Sequence, residues 1–344
     1  MNFVKTALRS IAVTALAAGL SSAAMAQEVT LKMHQFLPPQ ANVPKLILDV
    51  WADKVEADSE GRIKIERYPS MQLGGRPPEL ADQVVDGIAD IVWTVSGYTP
   101  GRFPQSEVFE LPFMMTKAAP TSAAYWEYAQ ANMMDSDFAD LHVLGIWVHG
   151  PGMIHSQDPI TTPADLNGVK VRAPTRIITK MFGELGATPV GMPLPAVPEA
   201  LSKGVIDATV IPWEVTTAFK ISELVGNHTE FGDQSLYTTT FLFAMNKEVY
   251  AGLSDENKAV IDANSGAAFS AFAGGVQEGG DVAARKVAAD RGNNIISLTD
   301  AQIDVWKEAA SKVEVQWVED MNALGFDGQA LLDQARALIK KHSM

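Results

Sequence analysis

The chain contains no cysteine. In an exported protein that absence removes disulfides, thiol nucleophiles and thiolate metal sites together, so stability must come from packing. No Lys/Arg cluster stands out against a formal charge of −14. Nucleic acids and anionic lipid surfaces, which need a basic face to displace counterions, are therefore poor partners. A small anion is not excluded, because one desolvated arginine outweighs a distant, salt-screened field. There is no G-x-S-x-G elbow, G-x-x-x-x-G-K-[ST] loop, H-E-x-x-H or EF-hand loop, which weighs against an enzyme. The six histidines are scattered; His149 and His155 lack helical or zinc spacing and read as packed or surface residues. No cofactor is expected, and no carboxylate cluster demands a metal, although metal dependence stays open.

Long apolar runs are also missing. Ile11 to Leu20 is about half the roughly 20 residues a spanning helix needs, and no later segment is long enough. That run follows Lys5 and Arg9 and precedes Ala24-Met25-Ala26, the order of a cleavable secretory signal. Residues 1–26 are accordingly assigned to a signal peptide cleaved after Ala26, and the mature chain to the periplasm. Loss of Lys5 and Arg9 takes the charge to about −16. About 318 residues remain, more than one core usually accommodates, and two lobes are expected.

What is present is an alternation of strands and helices. Val29 to Met33 and Ile63 to Tyr68 alternate like strands on either side of a helix from Asn42 to Asp58. A helix from Glu79 stops at Gly87 and yields the strand Asp90 to Thr94. The same order returns in the strand Val169 to Arg172, the helix Arg176 to Leu185, the strand-like Ala187 to Met192, the helix Ala196 to Lys203 and the strand Asp207 to Ile211. Asp86-Gly87-Ile88-Ala89-Asp90 is echoed by Lys203-Gly204-Val205-Ile206-Asp207; in each, a glycine caps a helix and an aspartate opens the next strand three positions later. Thr239 to Met245 reads as a strand, Asp255 to Arg291 as helical segments, and Asp300 to Leu324 and Gly328 to Lys341 as closing helices.

Two α/β lobes follow, each a mostly parallel sheet flanked by helices. Lobe I is assigned residues 27–150 plus about 240–280, and lobe II residues 151–239 plus about 281–344. Ligands on such sheets bind beyond the carboxyl ends of the strands, here the cleft between the lobes. Arg172 ends a strand just before Ala173-Pro174, and its planar fork suits a carboxylate; a surface ion pair is the competing reading. Trp93 and Trp213 also stand at strand ends, as cleft walls or as core, and Pro212 ends the strand before Trp213.

The stretches MQLGG (Met71 to Gly75), DGIADI (Asp86 to Ile91), FELPFMM (Phe109 to Met115), LNGVKVR (Leu166 to Arg172), LGATPV (Leu185 to Val190) and EALSKGVIDA (Glu199 to Ala208) resemble the periplasmic substrate-binding proteins of tripartite ATP-independent periplasmic (TRAP) transporters. The resemblance implies a two-lobed periplasmic binding protein fold that closes on an organic acid and delivers it to small and large membrane permease subunits. It also implies that Arg172 holds the ligand carboxylate.

One departure bears on the ligand. Many dicarboxylate and sialic-acid members carry an asparagine where this chain reads Val210-Ile211-Pro212-Trp213-Glu214. A second ligand charge would lack a buried partner. Trp93, Trp213, Phe36 and Tyr98 instead suggest an aromatic monocarboxylate, of benzoate or hydroxycinnamate type, ahead of aliphatic keto or hydroxy acids and dicarboxylates. Arg76 and Arg176 are candidates for a second acidic or hydroxyl group, or for surface pairs. A periplasmic sensor subunit would use the same cleft. With no dominant heptad seam from Asp300 onward, a monomer is the default.

Overall fold

The computed structural model describes residues 28–344, so the signal segment lies outside the described residues. Eleven strands build two sheets: β1 (Val29–His34), β2 (Ile63–Tyr68), β3 (Ile91–Val95), β4 (Leu141–Val148), β5 (Met153–Ser156), β6 (Lys170–Ala173), β7 (Thr188–Gly191), β8 (Ala208–Ile211), β9 (Asn227–Glu230), β10 (Thr240–Asn246) and β11 (Asn294–Ser297). The first sheet runs β2-β1-β3-β10-β4 and the second β11-β9-β5-β8-β6-β7.

Each sheet is mostly parallel, as expected, with one strand running against the rest, β10 in the first and β5 in the second, and the chain path explains why. β1 and β3 of the first lobe, and β6 and β8 of the second, end at the cleft. β4 also ends there, and the chain crosses through His149–Gly152 into β5. A strand that enters a lobe from the cleft must run away from it, so β5 is antiparallel to β8 and β9. The return crossing, ending at Thr239, feeds β10, antiparallel to β3 and β4 for the same reason.

The repeated Gly-x-x-Asp segment has a common structure in both lobes. Gly87 and Gly204 take φ of +72° and +65°, conformations that cost a glycine little. Asp90 N donates to Lys32 O at 3.0 Å while Lys32 N donates to Asp90 Oδ2 at 2.7 Å. Asp207 and Lys170 repeat that pair at 2.8 and 2.9 Å. Each aspartate thus clips its strand to the neighbouring parallel strand, fixing the register that brings both strand ends to the cleft together.

The helix Asp281–Asp290 packs on the turn of helix Trp213–Thr216, and Asp300–Ala323 packs on Arg176–Glu184 of the second lobe. The last helix, Gly328–His342, was grouped with lobe II on sequence. It packs both on Asp300–Ala323 and on Ala118–Asn132 of the first lobe, where Lys341 pairs with Glu127 at 2.7 Å and Asn132 Nδ2 donates to Gln334 at 3.1 Å. The helices after Gly280 therefore span both lobes. Among the described residues no helix is long and apolar enough to cross a membrane.

Candidate functional site

The segments leaving β1, β3, β6 and β8, together with the two crossings, line a pocket between the lobes with about 400 Å³ of unfilled space, part of it open to solvent. Arg172, next to last in β6, is 2 % exposed. Its Nε donates to Met192 O at 2.9 Å, Nη1 to Val210 O at 3.1 Å and Nη2 to the Tyr98 hydroxyl at 3.4 Å. None of the ion pairs among the described residues includes it. Guanidinium does not deprotonate in proteins, and a buried charge without a counter-ion costs several kcal/mol. Carbonyl dipoles offset part of that cost; an entering anion would offset the rest.

The walls are aromatic. Phe36, just past β1, stacks on Trp93 of β3 with centroids 4.8 Å apart and planes at 11°. Trp93 stacks in turn on Phe241 at 5.2 Å, and Tyr98 tilts against Phe36 at 5.5 Å. Leu194, Pro212 and Val215 face them from the second lobe. Such a slot favours a flat apolar body.

The titratable groups lining the cavity leave Arg172 as its charge at neutral pH. Burial lowers His149 to about 4. Thr239 N donates to His149 Nε2 at 3.0 Å; a backbone N–H only donates, so Nε2 is the bare nitrogen and Nδ1–H donates to Gly150 O. Burial raises Glu214 to about 8, against the opposing effects of Gln277 and Asn42. Burial also raises Tyr98, which Arg172 partly counters, and Tyr237.

Beside the cavity the lobes are tied together. Thr175 Oγ1, which also caps the helix Arg176–Glu184, donates to Glu110 Oε2 at 2.6 Å. Glu110 accepts from Thr240 N and Oγ1, both at 3.0 Å, and burial raises its carboxyl to about 7. Arg176 pairs with Glu107 of the first lobe and, at 2.7 Å, with Asp320.

The structure brings together Arg172, Phe36, Trp93, Tyr98 and Pro212 of the residues singled out on sequence. It does not bring in the other three. Trp213 is fully buried away from the cavity, its Nε1 donating to Glu230 at 2.8 Å and its ring packed on His155 and His228. Pro212 breaks the strand's side-chain alternation, and Val215 and Glu214 take the cavity positions. Arg76 is exposed and paired with Glu79 in a capping box. Arg176 is held by Glu107 and Asp320 and faces an outer groove. Sequence reasoning missed His149, Tyr237, Thr239, Phe241, Glu214 and Gln277 as lining residues; only the sequence His149-Gly150-Pro151-Gly152, a glycine- and proline-marked crossing, offered a local signal.

A two-lobed α/β shell closed around one buried cation is the architecture of a solute receptor. Residues 35–320 match the family described as bacterial extracellular solute-binding protein, family 7 (DctP), and the chain belongs to that family, the periplasmic solute-binding proteins of TRAP transporters. These are receptors and not enzymes. A TRAP solute-binding protein from Rhodoferax ferrireducens T118, in complex with copurified benzoate, is 53% identical, with a TM-score of 0.90 over 92% of this chain and 98% of that one. A marine metagenome TRAP protein specific for aromatic acid ligands, with co-crystallized 3-hydroxybenzoate, is 51% identical with a TM-score of 0.90, over 92% of this chain and 100% of that one. The outer membrane transporter protein TsaT of Comamonas testosteroni is 30% identical over 98% of both chains.

Proposed function

We propose that this receptor binds one aromatic monocarboxylate, of benzoate or hydroxybenzoate type, and hands it to the small and large membrane subunits of a TRAP permease. The observation that carries this reading is Arg172: a buried guanidinium, unpaired among the described residues, at one side of an aromatic slot. A carboxylate would take the guanidinium's remaining N–H groups, and the ring would lie among Phe36, Trp93, Tyr98 and Phe241. Those contacts come from both lobes, so the ligand would favour the closed form over the open one. A dicarboxylate would place its second charge where no further cation lines the wall, a costly burial. The relatives bound to benzoate and 3-hydroxybenzoate support the same choice.

A thermal-shift series tests it, because a ligand that binds only the folded state raises the melting temperature. Benzoate and hydroxybenzoates are expected to give large shifts and succinate none. Large shifts with succinate alone would overturn the ligand class.

A further inference from the structure

Resting on the aromatic-acid reading above, we infer that Glu214 is the residue that recognises an oxygen substituent on the ring, by donating a hydrogen bond from Oε2. The direction of that bond follows from a chain of fixed donors. Trp147, fully buried, donates from Nε1 to Gln277 Oε1 at 2.8 Å, and an indole N–H can only donate. Gln277 must therefore turn its amide nitrogen the other way, and Nε2 donates to Glu214 Oε1 at 2.8 Å. An amide NH₂ likewise only donates, so Oε1 is the accepting oxygen. The carboxyl proton then sits on Oε2.

Oε2 is buried and has no partner at hydrogen-bond distance, although the Asn42 side chain lies near enough to the carboxyl to lower its pKa against the larger effect of burial. Glu214 is 5 % exposed and lines the cavity. Burial, with the neighbouring Asp281 carboxyl adding to it, keeps the group protonated at neutral pH. The Arg172 charge acts on Tyr98, His149 and Tyr237, whereas the groups that act on Glu214 are Gln277, Asp281 and Asn42. Arg172 stands in β6 and hydrogen-bonds Val210 and Tyr98, whereas Glu214 follows Pro212 and hydrogen-bonds Gln277 and Asp281, so the two polar anchors reach the cavity from different elements, one for the carboxylate and one for a ring hydroxyl. Trp93 Nε1 is another buried polar atom of a cavity-lining residue without a partner, and it and the Tyr237 hydroxyl are the competing donors.

The test is the ratio of Kd values for benzoate and for 3- and 4-hydroxybenzoate, by calorimetry, in the wild type, Glu214→Gln, Glu214→Met and Trp93→Phe. The wild type is expected to prefer at least one hydroxybenzoate. Glu214→Gln, which keeps an acceptor toward Gln277 and a donor toward the cavity, should retain the preference within about threefold, and Glu214→Met should reduce it about tenfold or more. A preference that survives Glu214→Met, or that disappears in Trp93→Phe alone, overturns the inference. If Glu214→Met does not fold, a crystal structure of the wild type with its preferred hydroxybenzoate decides: the hydroxyl within about 3.2 Å of Oε2 supports it, and a hydroxyl placed elsewhere overturns it. Binding of neither acid to the wild type would remove the aromatic-acid reading itself, and this inference with it.

Discussion

Tyr98 of the first lobe places its hydroxyl 3.4 Å from Arg172 Nη2 of the second, while the same oxygen accepts from Leu194 N at 2.9 Å. The proposed carboxylate anchor and the contact between the lobes thus share one oxygen atom. A ligand that neutralises Arg172 would act on a group already in contact across the cleft, which is a direct route from binding to closed-state population.

Tyr98→Phe should weaken benzoate binding by about tenfold. The buried Leu194 N–H and the guanidinium would lose a shared acceptor, a change worth about 1–3 kcal/mol. Calorimetry on the variant, with circular dichroism to confirm the fold, checks it; affinity within twofold of wild type would mean the hydroxyl is a bystander.

Gly152 is a steric requirement of the first crossing. A Cβ there would lie 2.2 Å from Tyr237 Cε1, and Tyr237 lines the cavity. Its N–H also donates to Tyr237 O at 2.9 Å. Gly152→Ala should displace the ring, lowering both melting temperature and benzoate affinity, the latter by tenfold or more given the rigidity of packed interiors. Wild-type affinity in this variant would show that the ring moves without cost.

Legibility in the sequence divided along local and non-local lines. Arg172 was readable because a strand that ends at Ala173-Pro174 exposes its last side chains to the cleft, and the Gly87/Gly204 echo because helix caps and strand starts are local events. Trp213 was misplaced because the proline before it breaks the strand alternation that assigns faces. Arg176 stays open on sequence because the partner that decides for it, Glu107, lies far away in the chain; Arg76 pairs locally with Glu79, and its exposure is what the local pattern does not specify. His149 and Phe241 became lining residues only through the two crossings, which no local pattern specifies. The buried strand Leu141–Val148 carries no alternation at all, since both of its faces are covered.

Arg176→Ala should act on closure and not on the anchor. Arg176 is partly exposed, so its pair with Glu107 is screened and modest. Benzoate affinity is expected to fall about three- to tenfold, with a larger radius of gyration for the unliganded variant by small-angle scattering. An unchanged radius together with an unchanged affinity would remove the clasp from the account.

The buried carboxyls predict a pH dependence with a definite sign. Burial raises Glu110 to about 7, Glu214 to about 8 and Asp281 to about 7, so between their unfolded values and these the native state holds more protons than the unfolded chain. Stability from these groups is present at low pH and lost as pH rises through about 7–8. Burial lowers His149 to about 4 and His155 to about 3; their effect runs the other way, but only below the ordinary histidine pKa of about 6.5. The melting temperature of the ligand-free protein should therefore fall between pH 6.5 and 8.5. A melting temperature that does not fall over that window would mean that these carboxyls are already ionised in the folded protein.

The most direct test of the central claim is a calorimetric titration of benzoate into the wild type and Arg172→Ala. If Arg172 is the buried cation that the ligand carboxylate completes, the wild type binds one equivalent, and the variant loses roughly 2 to 5 kcal/mol, some 30-fold or more in affinity. Equal affinities in the two proteins would contradict the account and place the carboxylate elsewhere.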